Sequence, residues 1–129
     1  MTIAVDASAL VAIARHEPGY EPFELALSAT DAAFATPINV MEAALVLVLR
    51  DGRFTAESFR TWLESQNVVE IQAVTAQDAL DAYLRWGKGV HRAGLNMGDC
   101  FAYALAKTLD APLLYKGDDF PRTDIRSAL

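Results

Sequence analysis

The chain has 129 residues, 53% of them apolar and 22% charged, and a formal net charge of −6. This composition predicts one compact domain spanning residues 1–129 and excludes a disordered chain, and the single cysteine excludes an internal disulfide and a cysteine-built zinc site. No apolar run approaches the ~20 residues of a membrane span, and an acid at position 6 argues against a signal peptide, so we expect a cytoplasmic protein with no membrane partner.

The first third of the chain alternates short strands with helices. The apolar run Thr2–Val5 predicts a buried strand that ends at Asp6. Ser8 is a candidate cap for a helix that runs to about Arg15. Two further elements are predicted before residue 36: a helix over 18–29 and a strand over 33–35.

The pair Thr36-Pro37 predicts a helix start, because a capping hydroxyl is followed by proline at the first helical position. That helix is expected to run to Arg50 and to stop before Gly52. Helix caps, β-branched runs and turn residues then predict five more elements: a helix over 55–66, a strand over 68–71, a helix over 75–87, a helix capped by Asn96 that ends at 109, and a strand over 113–115. The alternation predicts an α/β fold with a short, mainly parallel sheet covered on both faces.

Four acidic residues lie in apolar surroundings from one end of the chain to the other. Asp6 and Asp119 follow predicted strands, Asp99 is in the first turn of a helix, and Glu42 is less than two turns into another. In parallel α/β sheets, sites form at the carboxyl ends of the strands, so all four can converge on one edge. Because an unpaired buried carboxylate is costly, the set predicts a site for hard cations such as Mg²⁺, typical of metal-dependent phosphodiester hydrolysis.

Each acid also has a purely structural interpretation. Asp6 belongs to a helix-capping region, and Glu42 could pair with Arg15 or Arg50 in the core. Asn96 and Asp99 have the spacing of a reciprocal helix cap. Asp118 and Asp119 could both be turn residues, and spacing alone does not decide which of the two faces inward.

Positive charge is concentrated in the second part of the chain. Residues 1–84 hold 4 Lys/Arg and 12 Asp/Glu, a net charge of −8, whereas residues 85–129 hold 7 and 5, a net charge of +2. A basic loop precedes Asp99, and a local patch of this kind suits phosphate contacts better than an overall basic chain does. A solvated loop that balances an acidic half is the alternative. Candidates for such phosphate contacts are Arg85, Lys88, Arg92 and Lys116.

Taken in order, four segments resemble the PIN-domain ribonucleases, most closely the VapC-type toxins of toxin–antitoxin pairs. The opening Val5-Asp6-Ala7-Ser8-Ala9-Leu10 is similar to that family's first block, and the stretch 91–106 around Asp99 is the most specific likeness. The other two segments are Asn39-Val40-Met41-Glu42-Ala43-Ala44 and the closing block over 113–125. The resemblance spans essentially the whole chain and implies a PIN-like three-layer α/β/α fold.

The resemblance also implies what the site does. It implies an endoribonuclease that uses Mg²⁺ or Mn²⁺, with Asp6 and Asp99 as direct ligands and Glu42 and Asp119 completing the acidic pocket. Asp118 is left as a near neighbour, and Ser8 is expected to orient either Asp6 or a metal-bound water. RNA as substrate, a cognate VapB-type antitoxin and a homodimer are implied as partners. Two alternatives stay open: a PIN-type RNA-processing nuclease without an antitoxin, and a module that binds RNA or protein without cutting.

Overall fold

A computed structural model, which describes all of residues 1–129, has a central sheet of four parallel strands. The strand order is β3-β2-β1-β4, so β1 lies in the middle of the sheet beside β2 and β4. This confirms the predicted short parallel sheet. The strands are β1 (Thr2–Val5), β2 (Ala32–Ala35), β3 (Val68–Glu70) and β4 (Leu113–Leu114).

Six α-helices cover both faces of the sheet, which makes the fold a three-layer α/β/α sandwich. Side chains alternate along β1, so Ile3 and Val5 face one buried cluster with helices α1 to α4, and Ala4 faces a second cluster with α5 and α6. The helices are α1 (Ala7–Arg15), α2 (Glu21–Ala29), α3 (Pro37–Ala44), α4 (Ala56–Ser65), α5 (Ala76–Trp86) and α6 (Met97–Leu109).

The strand register aligns the carboxyl ends of β1, β2 and β4 at one edge of the sheet. Ala4 pairs with Phe34 of β2, and Val5 pairs with Leu114 of β4. The amide of Asp6 then donates to the carbonyl of Leu114 at 2.9 Å. The residues that follow β1, β2 and β4 therefore emerge side by side, which is the condition for a shared site at this edge.

Several predicted boundaries were wrong by a few residues. Asp6 caps α1 in place of Ser8, because its side chain accepts the amide of Ser8. The second helix begins at Glu21 and not at residue 18, because a turn with Gly19 at φ +83° precedes it. The predicted strands ending at 71 and 115 stop at Glu70 and Leu114, although the amide of Ile71 still bonds the neighbouring strand.

The helix predicted to run to Arg50 changes its winding after Ala44. Residues Leu45–Arg50 form a π-helical turn, and the amide of Asp51 donates to the carbonyl of Val46, five residues earlier. The helix therefore reaches Arg50 as expected, but only its first part is α-helical. No helix of the structure combines the length and apolar character needed to span a bilayer.

Candidate functional site

Asp6 is a buried carboxylate with one oxygen left without a partner. Asp6 is only 4% exposed and caps the N-terminus of α1. Oδ2 accepts the Ser8 amide at 3.0 Å and the Ser8 hydroxyl at 2.6 Å. Oδ1 is buried and has no hydrogen-bond partner. A buried, unsatisfied carboxylate oxygen is rare and costly, so this atom marks a position where a ligand is expected.

Ser8 connects Asp6 to the segment after β4. Its hydroxyl donates to Asp6 and accepts the backbone amide of Lys116 at 2.9 Å. The two bonds hold the start of α1 against the chain that leads to Asp119. Ser8 thus fixes the orientation of the Asp6 carboxylate and leaves Oδ1 free.

Glu42 is half-buried on α3 and rests against the first turn of α6. Its Oε1 accepts a hydrogen bond from the side-chain amide of Asn39 at 3.1 Å. A Cβ built on Gly98 would lie 2.2 Å from both carboxylate oxygens, so only glycine leaves room for this contact. The alternative ion pair was wrong: Glu42 makes none, and Arg15 instead forms a two-bond pair with Asp51 at 2.7 and 2.9 Å.

Asp99 serves as a helix cap and still faces the acidic site. Its amide donates to the Asn96 side chain at 2.8 Å, and its own Oδ2 accepts the Asn96 amide at 3.1 Å. The reciprocal cap predicted as an alternative is therefore present. The cap uses one carboxylate oxygen of Asp99 and leaves the other oxygen free to bind a ligand.

The last acid lies in the exposed turn after β4. Phe120 is buried and packs its ring 5.0 Å from that of Tyr115, which anchors the turn next to the sheet. Asp119 directly precedes it, and its side chain makes no capping bond. The charge of Asp119, and not that of its neighbour Asp118, contributes to the raised pKa of Asp99. This electrostatic contact favours Asp119 as the fourth acid.

The acids perturb one another. Burial raises the pKa of Asp6 to about 6, with a further contribution from Glu42. Burial raises the pKa of Asp99 to about 6 as well, and the charges of Asp6 and Asp119 add to it. The pKa of Glu42 is raised by burial and by Asp99. The sheet edge therefore gathers carboxylates that repel one another in the absence of a cation.

The residues present suit a hard divalent cation. The donors are carboxylate oxygens, which Mg²⁺ and Mn²⁺ prefer, and Asp6 presents an unpartnered one. No group of three or more His, Cys, Asp and Glu side chains is placed to hold one metal ion together. Mg²⁺ keeps several waters and takes few carboxylates, so it does not require such a group.

The candidate RNA-binding Lys and Arg side chains differ in whether they already form ion pairs. Arg85 lies 3.8 Å from Asp124 and 4.7 Å above the Trp86 ring, and Lys116 donates to Glu17 at 2.9 Å. Lys88 and Arg92 are exposed, lie in the turn between α5 and α6, and make no ion pair within 4 Å. A cleft of about 580 Å³ adjoins the acids, lined in part by Ser8, Glu42, Arg50 and Lys116.

Three residues next to the acids were not singled out for function from the sequence. Asn39 and Thr36 are buried and hydrogen-bonded to each other, and Gly98 faces the Glu42 carboxylate. Asn39 is three residues before Glu42, a spacing that places both on one helix face. That spacing could have identified Asn39 as a neighbour of the site from the sequence. No sequence pattern indicates that Gly98 approaches Glu42, because this contact depends on how α3 packs against α6.

The family model for the PIN domain matches residues 3–126, nearly the whole chain. The three-layer fold is what the sequence resemblance led us to expect. The chain belongs to the PIN-domain family.

Relatives narrow the assignment to the VapC ribonucleases. The chain is 43% identical over 125 residues to ribonuclease VapC30 of Mycobacterium tuberculosis, covering 95% of each chain. It is 42% identical to ribonuclease VapC of Mycolicibacterium smegmatis, covering 95% of this chain and 97% of that one. The crystal structure of M. tuberculosis VapC20, described as a sarcin-ricin loop cleaving toxin, has the same fold, with a TM-score of 0.73, 16% identity and 95% coverage of both chains. The resemblance to VapC-type proteins is confirmed.

Replacing Gly98 by Ala is expected to displace Glu42, because the new methyl group occupies the position of the carboxylate. RNA cleavage should fall at least about 10-fold, as expected when a site group is moved by about 1 Å. In a Glu42→Ala background the same substitution should stabilise the protein by about 0.5–1 kcal/mol, because alanine favours the helix. Urea denaturation of the four proteins measures this. If Gly98→Ala changes the free energy of unfolding equally in the wild-type and Glu42→Ala backgrounds, Gly98 and Glu42 are not in contact.

In the metal-free protein, Asp6 and Asp99 should contribute less to stability as the pH rises through the range in which they ionise. Both have a raised pKa of about 6 in the folded protein, against 3.8 for an unperturbed group. At these two groups the folded state binds more protons between these values, so their contribution to the free energy of unfolding falls from about pH 4 to about pH 6.

Asp99→Asn tests this directly, because it removes one charge and keeps an oxygen for the Asn96 cap. In EDTA near pH 7 the variant should be more stable than wild type by about 1 kcal/mol, a value discounted for the partial exposure of the group. The difference should vanish near pH 4. A variant less stable than wild type near pH 7 contradicts the claim that the Asp99 charge is unfavourable in the metal-free protein.

Proposed function

We propose that the protein is a metal-dependent endoribonuclease that hydrolyses RNA phosphodiester bonds and acts as the toxin of a toxin–antitoxin pair. The observation that carries the proposal is the buried, unpartnered Oδ1 of Asp6 among acids that raise one another's pKa. Such a group is stabilised by a divalent cation, and phosphodiester cleavage is a reaction such cations promote. Membership of the VapC ribonucleases supports RNA as the substrate.

Each residue has a distinct part in this proposal. Asp6 and Asp99 hold Mg²⁺ or Mn²⁺ directly, and Glu42 and Asp119 complete the acidic pocket. When bound, the ion supplies Lewis acidity to the scissile phosphate and a more acidic water. Ser8 keeps Asp6 oriented through the 2.6 Å bond from its hydroxyl.

Basic groups around the acids provide contacts for the RNA backbone. Lys88 and Arg92 have no ion-pair partner and are available at once, whereas Arg85 and Lys116 must leave Asp124 and Glu17. Both of these ion pairs are partly exposed, and such pairs contribute only ~0–1 kcal/mol, so the exchange costs little. These side chains fix the strand by charge and do not by themselves select a sequence.

An antitoxin and a second copy of the chain are the proposed protein partners. An apolar groove of about 390 Å³ runs beside α3 and α4, lined by Met41, Leu49 and Phe59 among others. Met41 and Leu49 are exposed there, and Leu80 and Leu84 are exposed one turn apart on α5. Exposed apolar groups of this kind are typical of surfaces that bind proteins. Relief of toxicity by an upstream neighbouring gene distinguishes a toxin from an RNA-processing nuclease.

Purified protein should cut cellular RNA into discrete fragments with Mg²⁺ or Mn²⁺ and should be inactive in EDTA. Asp99→Asn should lose at least about 100-fold in rate because a charged group at the reacting centre is removed. Asp118→Asn, a matched change one residue from Asp119, should retain wild-type activity, whereas Asp119→Asn should lose it. The time course of fragment formation on denaturing gels gives the cleavage rates.

Two outcomes count against the nuclease proposal. If the protein, freed of copurified inhibitor, cuts no RNA with either metal, a binding module becomes the better account. If cleavage persists in EDTA or in the Asp99→Asn variant, the assignment of the acids as metal ligands is wrong.

A further inference from the structure

Asn39 is a fully buried polar side chain whose hydrogen-bonding capacity is directed at the site. Its amide nitrogen donates to Glu42 Oε1 at 3.1 Å and to the carbonyl of Gly98 at 3.0 Å. Its amide oxygen accepts the hydroxyl of Thr36 at 2.6 Å. Thr36 and Asn39 are among the most buried side chains of the protein, at 1% and 0% exposure. Burying an amide this deeply is unfavourable unless such bonds are made.

The chemistry of the partners fixes which way the amide points. The Gly98 carbonyl can only accept hydrogen bonds, so the NH₂ group of Asn39 must face it. The second hydrogen of that group then faces the Glu42 carboxylate, and the remaining amide oxygen takes the Thr36 hydroxyl. Each atom of the Asn39 amide has one role, and the opposite orientation would place an oxygen against two acceptors.

Local helix structure does not require this arrangement. The cap of α3 is already made by Thr36, whose hydroxyl oxygen accepts the backbone amide of Asn39 at 3.2 Å. In an α-helix the Gly98 carbonyl already accepts an amide four residues ahead, so it needs no side-chain donor. An apolar side chain of similar size would fill the same space. What the amide adds is a connection between Glu42 and the helix turn that carries Asp99.

We propose that Asn39 is a positioning residue that holds Glu42 at a fixed place relative to the start of α6, and so sets the geometry of Glu42 and Asp99 for catalysis. The proposal rests on the nuclease function proposed above. Asn39 acts through Glu42 and does not touch RNA. Its loss should therefore lower kcat and metal affinity and leave the KM for RNA nearly unchanged.

The test is a double-mutant cycle with Asn39→Ala, Glu42→Gln and the double variant. The readouts are kcat and KM for RNA cleavage and the Mn²⁺ dissociation constant from calorimetry. Asn39→Ala should lower kcat and weaken Mn²⁺ binding by about 10- to 100-fold, because outer hydrogen-bond partners of a metal site have effects of this size and Asn39 orients Glu42 in the acidic pocket. The double variant should bind Mn²⁺ no more weakly than Glu42→Gln within about 2-fold, because the two residues act as one unit.

Independent effects overturn the proposal. If the loss of Mn²⁺ affinity in the double variant is the product of the two single losses, Asn39 does not act through Glu42. Wild-type kcat in a folded Asn39→Ala protein overturns it equally. Failure of the nuclease function itself is recognised separately, because the wild-type protein would then cut no RNA.

A second pair of variants decides the matter if Asn39→Ala does not fold. Thr36→Val removes the hydroxyl that fixes the Asn39 amide but keeps Asn39 and Glu42, whereas Thr36→Ser retains a hydroxyl. Thr36→Val should show a smaller loss of kcat, about 3- to 10-fold, with KM unchanged, and Thr36→Ser should match wild type. Equal kcat values in the two Thr36 variants overturn the proposal.

Discussion

The burial of carboxylates at one edge of the sheet, together with their mutual repulsion, is the constraint on which the site depends. Parallel pairing of β1 with β2 and β4 brings the chain out of the sheet at neighbouring points, and Asp6 is the first residue after β1. Its burial raises its pKa to about 6, and it in turn raises that of Asp99. A fold that places acids in this way is less stable without a cation than an equivalent fold with neutral residues.

Local hydrogen bonds hold three of these acids without neutralising them. One oxygen of each is engaged within its own segment: Asp6 by Ser8, Glu42 by Asn39 and Asp99 by the amide of Asn96. The second oxygen of each makes no hydrogen bond with the protein. Capping is therefore compatible with ligand binding, because each carboxylate has a fixed side and a free side. The structural and functional interpretations of these residues describe different atoms of the same groups.

The sequence was enough to predict the parallel α/β fold and the reciprocal cap at the start of α6, because both follow from local patterns. Strands such as Thr2–Val5 are short and apolar, and caps such as Asn96 and Asp99 have a recognisable spacing. The contacts between segments were not predictable. The approach of Glu42 to Gly98 and the bond from Asn39 to the Gly98 carbonyl join residues far apart in the chain, and they depend on the packing of α3 on α6. The mistaken pairing of Glu42 with Arg15 has the same origin, since Arg15 is drawn to Asp51 instead.

The most direct test of this account is thermal unfolding of the wild-type protein as Mn²⁺ is added to a metal-free sample. A cation that relieves the repulsion binds only the folded state, so the unfolding midpoint should rise with concentration. At a free Mn²⁺ concentration about 100 times the dissociation constant, the free energy of unfolding should increase by about 2.7 kcal/mol. The same titration of Asp99→Asn should give a much smaller rise. A midpoint that does not change with Mn²⁺ in the wild-type protein would contradict the claim that these acids are held for a cation.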